Sequence, residues 1–230
     1  RGRMRAGAFP GGHHDDPPHG PLYKVYMDFA GPTGVAGIVH KHRHFCGVID
    51  AYSGYAAVYG CCTQTGQVAV QALQQFLISV RVLLKAASPL TPTVVRTDRG
   101  TPFMSQVFVD FVRSLSAEHS PSVAYTPQQN APIERLWGTI FNMARVMLAL
   151  ARLPPSFIAL AVRHAAHLAV VLPSAESGTS RIERLCNRKP NIQGLRVFGC
   201  SALVYLHKEV RYTDDKVRAE PVGKKLTDRA

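Results

Sequence analysis

The alternation of apolar and polar positions in the first part of the chain predicts an antiparallel meander of three strands. Three segments alternate in this way, and they are Tyr23–Phe29, His44–Asp50 and Tyr55–Cys61. A period of two is typical of strands that bury one face. Gly31-Pro32 ends the first segment, and Ser53-Gly54 joins the second to the third through a tight turn.

Helical and strand-like patterns alternate after the meander. Gln64–Lys85 repeats apolar residues at helical spacing and contains no proline. Two short runs of strand-forming residues, Thr93–Thr97 and Ser122–Tyr125, flank a second helical pattern over Ser105–Glu118. Val197–Leu206 is predicted to form one or two late strands.

A long helix is predicted over Ala131–Ala151. Asn130 is a favourable N-cap, and Pro132 is tolerated in the first helical turn. The prolines at 154–155 end this helix, and a second apolar helix extends from there to Leu172.

This order of elements predicts an α/β fold in which helices flank a mixed five-stranded sheet. The same pattern divides the chain into three parts. Residues 1–21 are rich in Arg, Gly, His and Pro and predict a flexible basic arm. Residues 22–173 carry the predicted fold, and residues 174–230 form a C-terminal extension.

The charge of the chain favours a polyanionic partner. Its 230 residues have a formal net charge of +12, and the basic residues concentrate in the N-terminal arm and beyond residue 180. A domain this basic is typical of nucleic-acid binding, although a basic solvated surface has the same composition.

Cysteine usage and hydropathy predict an intracellular protein. The five cysteines are odd in number and contain no CxxC pair, which argues against a disulfide framework and a zinc ribbon. The N-terminus lacks the apolar core of a signal peptide. Arg163, His164 and His167 interrupt the most apolar segment, Phe157–Leu172, so no membrane partner is expected.

Three acidic residues are candidates for metal-dependent phosphoryl transfer. Asp28 ends the first strand, Asp98 follows the fourth, and Glu134 lies in the first turn of the long helix. If the first and fourth strands are neighbours, the two aspartates stand side by side with the glutamate across from them. Magnesium prefers carboxylate oxygens, so this set predicts a metal site. Asp50 also ends a strand, but its turn-like surroundings predict a structural role.

Several segments resemble the integrase core of copia-type LTR retrotransposons, within the wider retroviral DDE family. They are Tyr26–Pro32, Val48–Tyr55, Val95–Phe103, Tyr125–Arg135 and Arg196–Ala202. The segment that ends in Glu134-Arg135 is the most specific of them. Its spacing agrees as well, because 35 residues separate Asp98 from Glu134, the spacing for which this family is known. The likeness covers roughly residues 22–206.

The resemblance implies an RNase H-like fold and an enzyme that processes DNA 3′ ends and transfers them into target DNA. It also implies a requirement for Mg²⁺ or Mn²⁺, with two ions. Asp28 and Asp98 would share or bridge the metals, and Glu134 would hold the second ion. The expected partners are element ends and target DNA, joined by a homo-oligomer in the nucleus.

The sequence departs from the family pattern at several positions. Ala131 stands where a glycine is usual, Pro102 where an acidic residue is common, and Leu136-Trp137 where a basic residue is common. No cysteine precedes Cys46, so the family's N-terminal zinc module is not expected in this chain and no zinc site is predicted.

Three alternating histidines, His40, His42 and His44, would share one strand face. Such a face is more often solvated than metal-binding. We therefore expect a solvated face here.

Polar and basic residues near the acids are the predicted DNA contacts. They are Arg99, Gln128, Gln129, Asn130, Arg135, Asn142 and Arg145. Contacts of this kind to phosphates give salt-dependent binding with little sequence preference. The alternative is a solvated polar stripe. Trp137, Phe141 and Met147 are expected in the core or at a subunit contact.

Two alternatives to an active integrase stay open. The altered flanking residues favour a decayed or domesticated core that binds nucleic acid without cutting it. A different RNase H-like nuclease acting on RNA–DNA hybrids is the other, against which the Tyr125–Arg135 motif argues.

Overall fold

The computed structural model describes residues 18–122, 130–174 and 177–202. Its contact pattern divides the chain into one unit up to Gly199 and another from Cys200 onward. Every helix and strand given below belongs to the first unit.

A mixed five-stranded sheet forms the centre of this unit. Its strands are β1 Lys24–Ala30, β2 His44–Asp50, β3 Ala56–Cys61, β4 Val94–Thr97 and β5 Glu118–Pro121. They lie in the order β3-β2-β1-β4-β5. β1, β2 and β3 pair antiparallel, whereas β1 pairs parallel with β4 and β4 parallel with β5. The predicted meander and mixed sheet are therefore confirmed, and the first and fourth strands are neighbours, which is the condition on which the pairing of Asp28 with Asp98 depends.

Helices connect and cover these strands. They are α1 Gly66–Leu84, α2 Thr101–Met104, α3 Gln106–Ser114, α4 Ala131–Ala151, α5 Ile158–Val171 and α6 Arg181–Cys186, with a 3₁₀ turn at Pro155–Phe157 before α5. The side chain of Thr65 caps α1 by accepting a hydrogen bond from the backbone N–H of Val68. The long helix and the apolar helix after it begin and end close to where the sequence predicts them.

Successive residues of the central strands face two separate cores. Val25 and Met27 of β1 pack with Leu73 and Phe76 of α1 on one face of the sheet. Tyr26 packs on the opposite face with residues of α4 and α5. Side chains alternate between the faces of a strand, so Asp28 points to the α4 side. The sheet therefore carries this carboxylate toward the helix that carries Glu134.

The apolar character of α1 follows from its packing. By length and composition alone, this helix could cross a membrane. Its Leu73, Phe76 and Val80 are buried in the core of the fold. A helix that packs in a protein core can have the same length and apolar composition.

The sequence prediction is wrong at three places. The predicted helix Ser105–Glu118 is too long, because α3 ends at Ser114 and Ser116 turns the chain at φ 57°. The predicted strand from Ser122 is wrong at its start, because β5 ends at Pro121; residues 123–125 lie outside the described residues. No strand forms over residues 197–202, the described part of the predicted late strands.

The error at β5 has a simple cause. Its sequence, Glu-His-Ser-Pro, has no alternation of apolar residues, and the segment is held by backbone pairing with β4 at the edge of the sheet. Periodicity cannot find a strand of this kind.

Candidate active site

Two of the three predicted acids come from neighbouring parallel strands: Asp28 lies two residues before the end of β1, and Asp98 directly follows β4. β1 and β4 run in the same direction, and Met27 pairs with Thr97. The next residue on each strand is an aspartate, so Asp28 and Asp98 stand side by side. Both are half-buried. The local order of the sheet therefore brings together two carboxylates that are far apart in sequence.

Glu134 lies in the first turn of α4 and is exposed. The buried face of this helix, which includes Ile133 and Trp137, packs on the sheet. The negative charges of Glu134 and Asp98 both act on Asp28. Asp98 and Glu134 thus both lie within electrostatic range of Asp28.

The electrostatics of Asp28 reflect this crowding. Burial is the main cause that raises its pKa from 3.8 to about 6, and the neighbouring Asp98 charge adds to it. Glu134 adds a smaller effect in the same direction. Hydrogen bonds from the backbone of Phe29 and the side chain of Trp137 act in the opposite sense. A carboxylate whose charged form is disfavoured in this way is stabilised by a nearby cation.

The donor set fits a divalent cation at the two aspartates. Hard cations take carboxylate oxygens, and here the Asp98 carboxylate lies close enough to Asp28 for its charge to raise the pKa of Asp28. Across residues 18–122, 130–174 and 177–202, however, no group of three or more His, Cys, Asp or Glu is arranged to hold a metal. Asp28 and Asp98 therefore form a pair of candidate ligands, and Glu134 does not join them as a third ligand in this structure.

The loop after β4 fixes Asp98. The backbone N–H of Gly100 donates to Asp98 Oδ1 at 2.9 Å. A Cβ at position 100 would also lie 2.9 Å from this oxygen, so a side chain there would crowd the carboxylate. Glycine at position 100 therefore lets the loop fold closely around Asp98.

Trp137 contacts the site, which the sequence did not predict. Its indole Nε1–H donates to Asp28 Oδ2 at 3.0 Å. The ring lies against Gly47, the residue that pairs with Asp28 across β1 and β2. A glycine inside a predicted strand often marks a close approach of this kind, and it was the available signal.

The predicted DNA contacts divide into exposed and buried residues. Arg99 is exposed beside Asp98, and its Nε donates to the backbone oxygen of Ser122 at 3.0 Å. Arg135, Asn142 and Arg145 are exposed along α4. Arg145 Nη2 also donates to Asn142 Oδ1 at 2.6 Å. All four side chains are exposed, and three of them lie on α4, the helix that carries Glu134.

Asn130 differs from the other predicted DNA contacts. Its residue is only 7% exposed, and its side chain makes no capping hydrogen bond although it stands at the N-cap position of α4. Among the described residues its Oδ1 has no hydrogen-bond partner. Gln128 and Gln129 lie outside the described residues.

Asp50, the competing acid, is structural. It is 0% exposed and accepts hydrogen bonds from the backbone N–H groups of Leu22 and Ser53, each at 2.8 Å. The Ser53 hydroxyl donates to it as well, at 2.5 Å. These donors fix the turn between β2 and β3 and the entry to β1, as its turn-like surroundings predict.

The expectation that three histidines share a strand face is wrong. Only His44 lies in β2, because His40 has a left-handed φ of 58° and belongs to the preceding turn. The rings of His40 and His42 stack with their centroids 5.4 Å apart. Burial lowers the pKa of His42, and the neighbouring His40 adds to this shift.

Sequence comparison relates this chain to an integrase family and to a transposon polyprotein. Residues 18–127 match the integrase core domain family. Over 194 residues, 84% of its length, the chain is 31% identical to the retrovirus-related Pol polyprotein from transposon TNT 1-94 of Nicotiana tabacum. That match covers 14% of the polyprotein, so the chain corresponds to a small part of such a relative.

Two solved structures have a similar fold. One is a chain from the simian T-cell lymphotropic virus intasome in complex with PP2A regulatory subunit B56 gamma. The match covers 82% of the present chain and 61% of the intasome chain, at 15% identity and a TM-score of 0.59. The dimeric form of the HTLV-2 integrase catalytic core domain in complex with magnesium matches 73% of this chain and 99% of its own, at 22% identity and a TM-score of 0.54.

Proposed function

This chain contains an integrase core of the retroviral and retrotransposon type with an RNase H-like fold, and on this premise we propose that it is an active polynucleotidyl transferase. In the proposed reaction it processes DNA 3′ ends and joins them to target DNA. The alternative is a decayed or domesticated core that binds nucleic acid without catalysis.

One observation carries this proposal. Three acids from β1, the end of β4 and the start of α4 lie close enough that the charges of Asp98 and Glu134 raise the pKa of Asp28. A structural carboxylate is normally paired with donors, as Asp50 is. A carboxylate whose pKa is raised by burial and by neighbouring like charges is typical of sites that bind a metal or a proton for chemistry.

Each acid has a proposed role. Asp28 and Asp98 would hold one Mg²⁺ or Mn²⁺ ion between them, and Glu134 would contribute to a second. Ions bound there supply charge neutralisation at the scissile phosphate and an activated oxygen nucleophile. The chain's own groups contact both carboxylates, because the Trp137 indole N–H donates to Asp28 and the Gly100 backbone N–H donates to Asp98. Glu134 is exposed on the first turn of α4 and would approach when substrate and metal are present.

The polar surface around the acids is the proposed DNA-binding surface. Arg99 lies beside Asp98, and Arg135, Asn142 and Arg145 follow one another along α4. We extend the proposal to Gln128, Gln129 and Asn130. Contacts from such side chains to phosphates position a duplex without reading its sequence, which suits insertion at many targets.

The wider setting is also part of the proposal. Residues 1–21 would act as a basic arm, residues 22–173 as the catalytic core and residues 174–230 as an extension, within a longer polyprotein. The chain would act in the nucleus as a homo-oligomer on paired DNA ends. We propose no zinc site in this chain and no membrane partner.

A strand-transfer assay tests the proposed activity. The protein is incubated with a labelled element-end duplex and a target plasmid in Mg²⁺ or Mn²⁺, beside a Glu134→Gln variant. We expect joined product from the wild type and none from the variant, with DNA binding retained by both. Salt-sensitive DNA binding without product from either protein would instead support the decayed core. Cleavage of RNA–DNA hybrids in place of joining would point to a different nuclease.

A further inference from the structure

The only tryptophan of the chain is built into the acidic site. Trp137 is 7% exposed, and its indole N–H donates to Asp28 Oδ2 at 3.0 Å. The two residues are 109 positions apart and belong to different elements, α4 and β1. Hydrogen bonds to an ionised carboxylate are stronger and more directional than neutral ones. This contact therefore restricts how the carboxylate of Asp28 can rotate.

The indole is held by packing that is independent of Asp28. A Cβ at position 47 would lie 2.6 Å from Trp137 Cζ2, closer than side chains tolerate, so the ring occupies the space that Gly47 leaves on β2. Phe141 packs against the ring from the next turn of α4, with centroids 5.8 Å apart and the ring planes tilted by 34°. Gly47 on β2 pairs directly with Asp28 on β1. The indole of Trp137, which packs against Gly47, therefore faces the carboxylate of Asp28.

We infer that Trp137 is a positioning residue for Asp28: seated on Gly47, it holds one carboxylate oxygen so that the group is oriented for a divalent cation. The inference rests on the proposed function, because it assigns Asp28 to a metal. A purely structural tryptophan would fill the same space, but it would not need the N–H. The two roles are separable because one depends on the ring and the other on the donor.

Removing the donor should weaken metal binding without removing the core. Groups that orient a ligand from outside typically change metal affinity or activity by about 10- to 100-fold when they are lost. Trp137→Phe keeps an aromatic ring against Gly47 and Phe141 but has no N–H. Gly47→Ala keeps the indole but displaces it from the strand. Both changes should therefore weaken binding of the same ion.

The test measures Mn²⁺ binding to the 230-residue chain by electron paramagnetic resonance, without DNA. We expect Trp137→Phe and Gly47→Ala to raise the Mn²⁺ dissociation constant by about tenfold. Asp28→Asn defines the signal that belongs to this site. Phe45→Leu is the matched control, because Phe45 is buried in the same cluster and contacts Phe141. It should lower the melting temperature and leave the Mn²⁺ affinity unchanged.

Fluorescence gives a second measurement on the wild type. Because Trp137 is the only tryptophan, Mn²⁺ bound at Asp28 should quench its emission over the same concentration range. Asp28→Asn should abolish this quenching.

The outcomes separate the positioning role from the proposed reaction. Mn²⁺ affinity within twofold of the wild type in Trp137→Phe, with Asp28→Asn defective, overturns the positioning role and leaves the reaction standing. Weakened Mn²⁺ binding in Trp137→Phe supports the role even if the wild type joins no DNA, in which case only the proposed reaction fails. Mn²⁺ binding that is indifferent to Asp28→Asn overturns the inference, because the ion then lies elsewhere.

Discussion

Asp28 and Asp50 lie on neighbouring strands of one sheet, and their surroundings are opposite in kind. Asp50 is fully buried and accepts three hydrogen bonds, from Leu22 and from the backbone and hydroxyl of Ser53. Asp28 is half-buried, accepts from Trp137 and the backbone of Phe29, and faces the negative charges of Asp98 and Glu134.

The difference shows how burial alone fails to identify a functional acid. Asp50 is the more buried of the two, yet its donors compensate for the lost solvent and make it a stable part of the turn. At Asp28 the donors do not offset burial and like charge, so its pKa rises to about 6. This lack of compensation is why we propose Asp28, and not Asp50, as a ligand for a cation.

The largest expected effect on stability comes from Asp50. Asp50→Asn replaces an acceptor by an N–H₂ group that faces existing donors, and it leaves buried N–H groups without partners. We expect the free energy of unfolding to fall by about 3 kcal/mol, measured by urea denaturation. Asp110→Asn is the control, since its ion pair with Arg113 is exposed and should contribute little. A variant as stable as the wild type would contradict the structural role of Asp50.

Asp28→Asn should change stability in the opposite direction. The folded pKa of Asp28, about 6, lies above its ordinary value of 3.8, so the folded state binds more protons between these values. Stability of the metal-free wild type should therefore fall as the pH rises from about 4 to about 6.

The asparagine variant lacks this charge. Without metal it should be more stable than the wild type above pH 6, by on the order of 1 kcal/mol after allowance for partial exposure, and the gain should vanish below pH 4. Thermal melts in chelator at pH 4 and pH 7.5 measure the difference. Equal or lower stability of the variant at pH 7.5 would show that burial and the neighbouring charges do not disfavour ionised Asp28 in the folded state.

The smallest effect concerns the proposed DNA-binding surface, which includes Arg135. Arg135 is exposed next to Glu134, and we expect Arg135→Ala to weaken DNA binding about fivefold and to reduce the salt dependence by about one counterion. Fluorescence anisotropy across a salt series measures both. Arg113→Ala, on α3 and paired with Asp110, is the control and should change neither. Equal effects of the two changes would show that general charge, and not this surface, binds DNA.

The sequence predicts the acid pair because strand order determines it. Alternation identifies β1 and β2, and a parallel β4 beside β1 places Asp28 next to Asp98. It also predicts the role of Asp50, since the turn residues after it are recognisable. These features depend on local patterns and on one adjacency between strands.

The contact of Trp137 with Asp28 could not be predicted in the same way. It depends on how α4 docks on the sheet and on the missing side chain of Gly47. The burial of Asn130, which is 7% exposed at the N-cap position of α4, was not predicted either. β5 escaped detection because its residues, Glu-His-Ser-Pro, are polar and show no apolar alternation.

The most direct test of the central claim compares Asp28→Asn with Asp50→Asn in a single strand-transfer experiment. Both proteins are assayed for DNA joining at a temperature at which circular dichroism shows them folded. We predict that Asp28→Asn is folded, binds DNA and joins none, whereas Asp50→Asn melts at a lower temperature but still joins DNA. Joining by Asp28→Asn at the wild-type rate would contradict the assignment of the acidic site to catalysis.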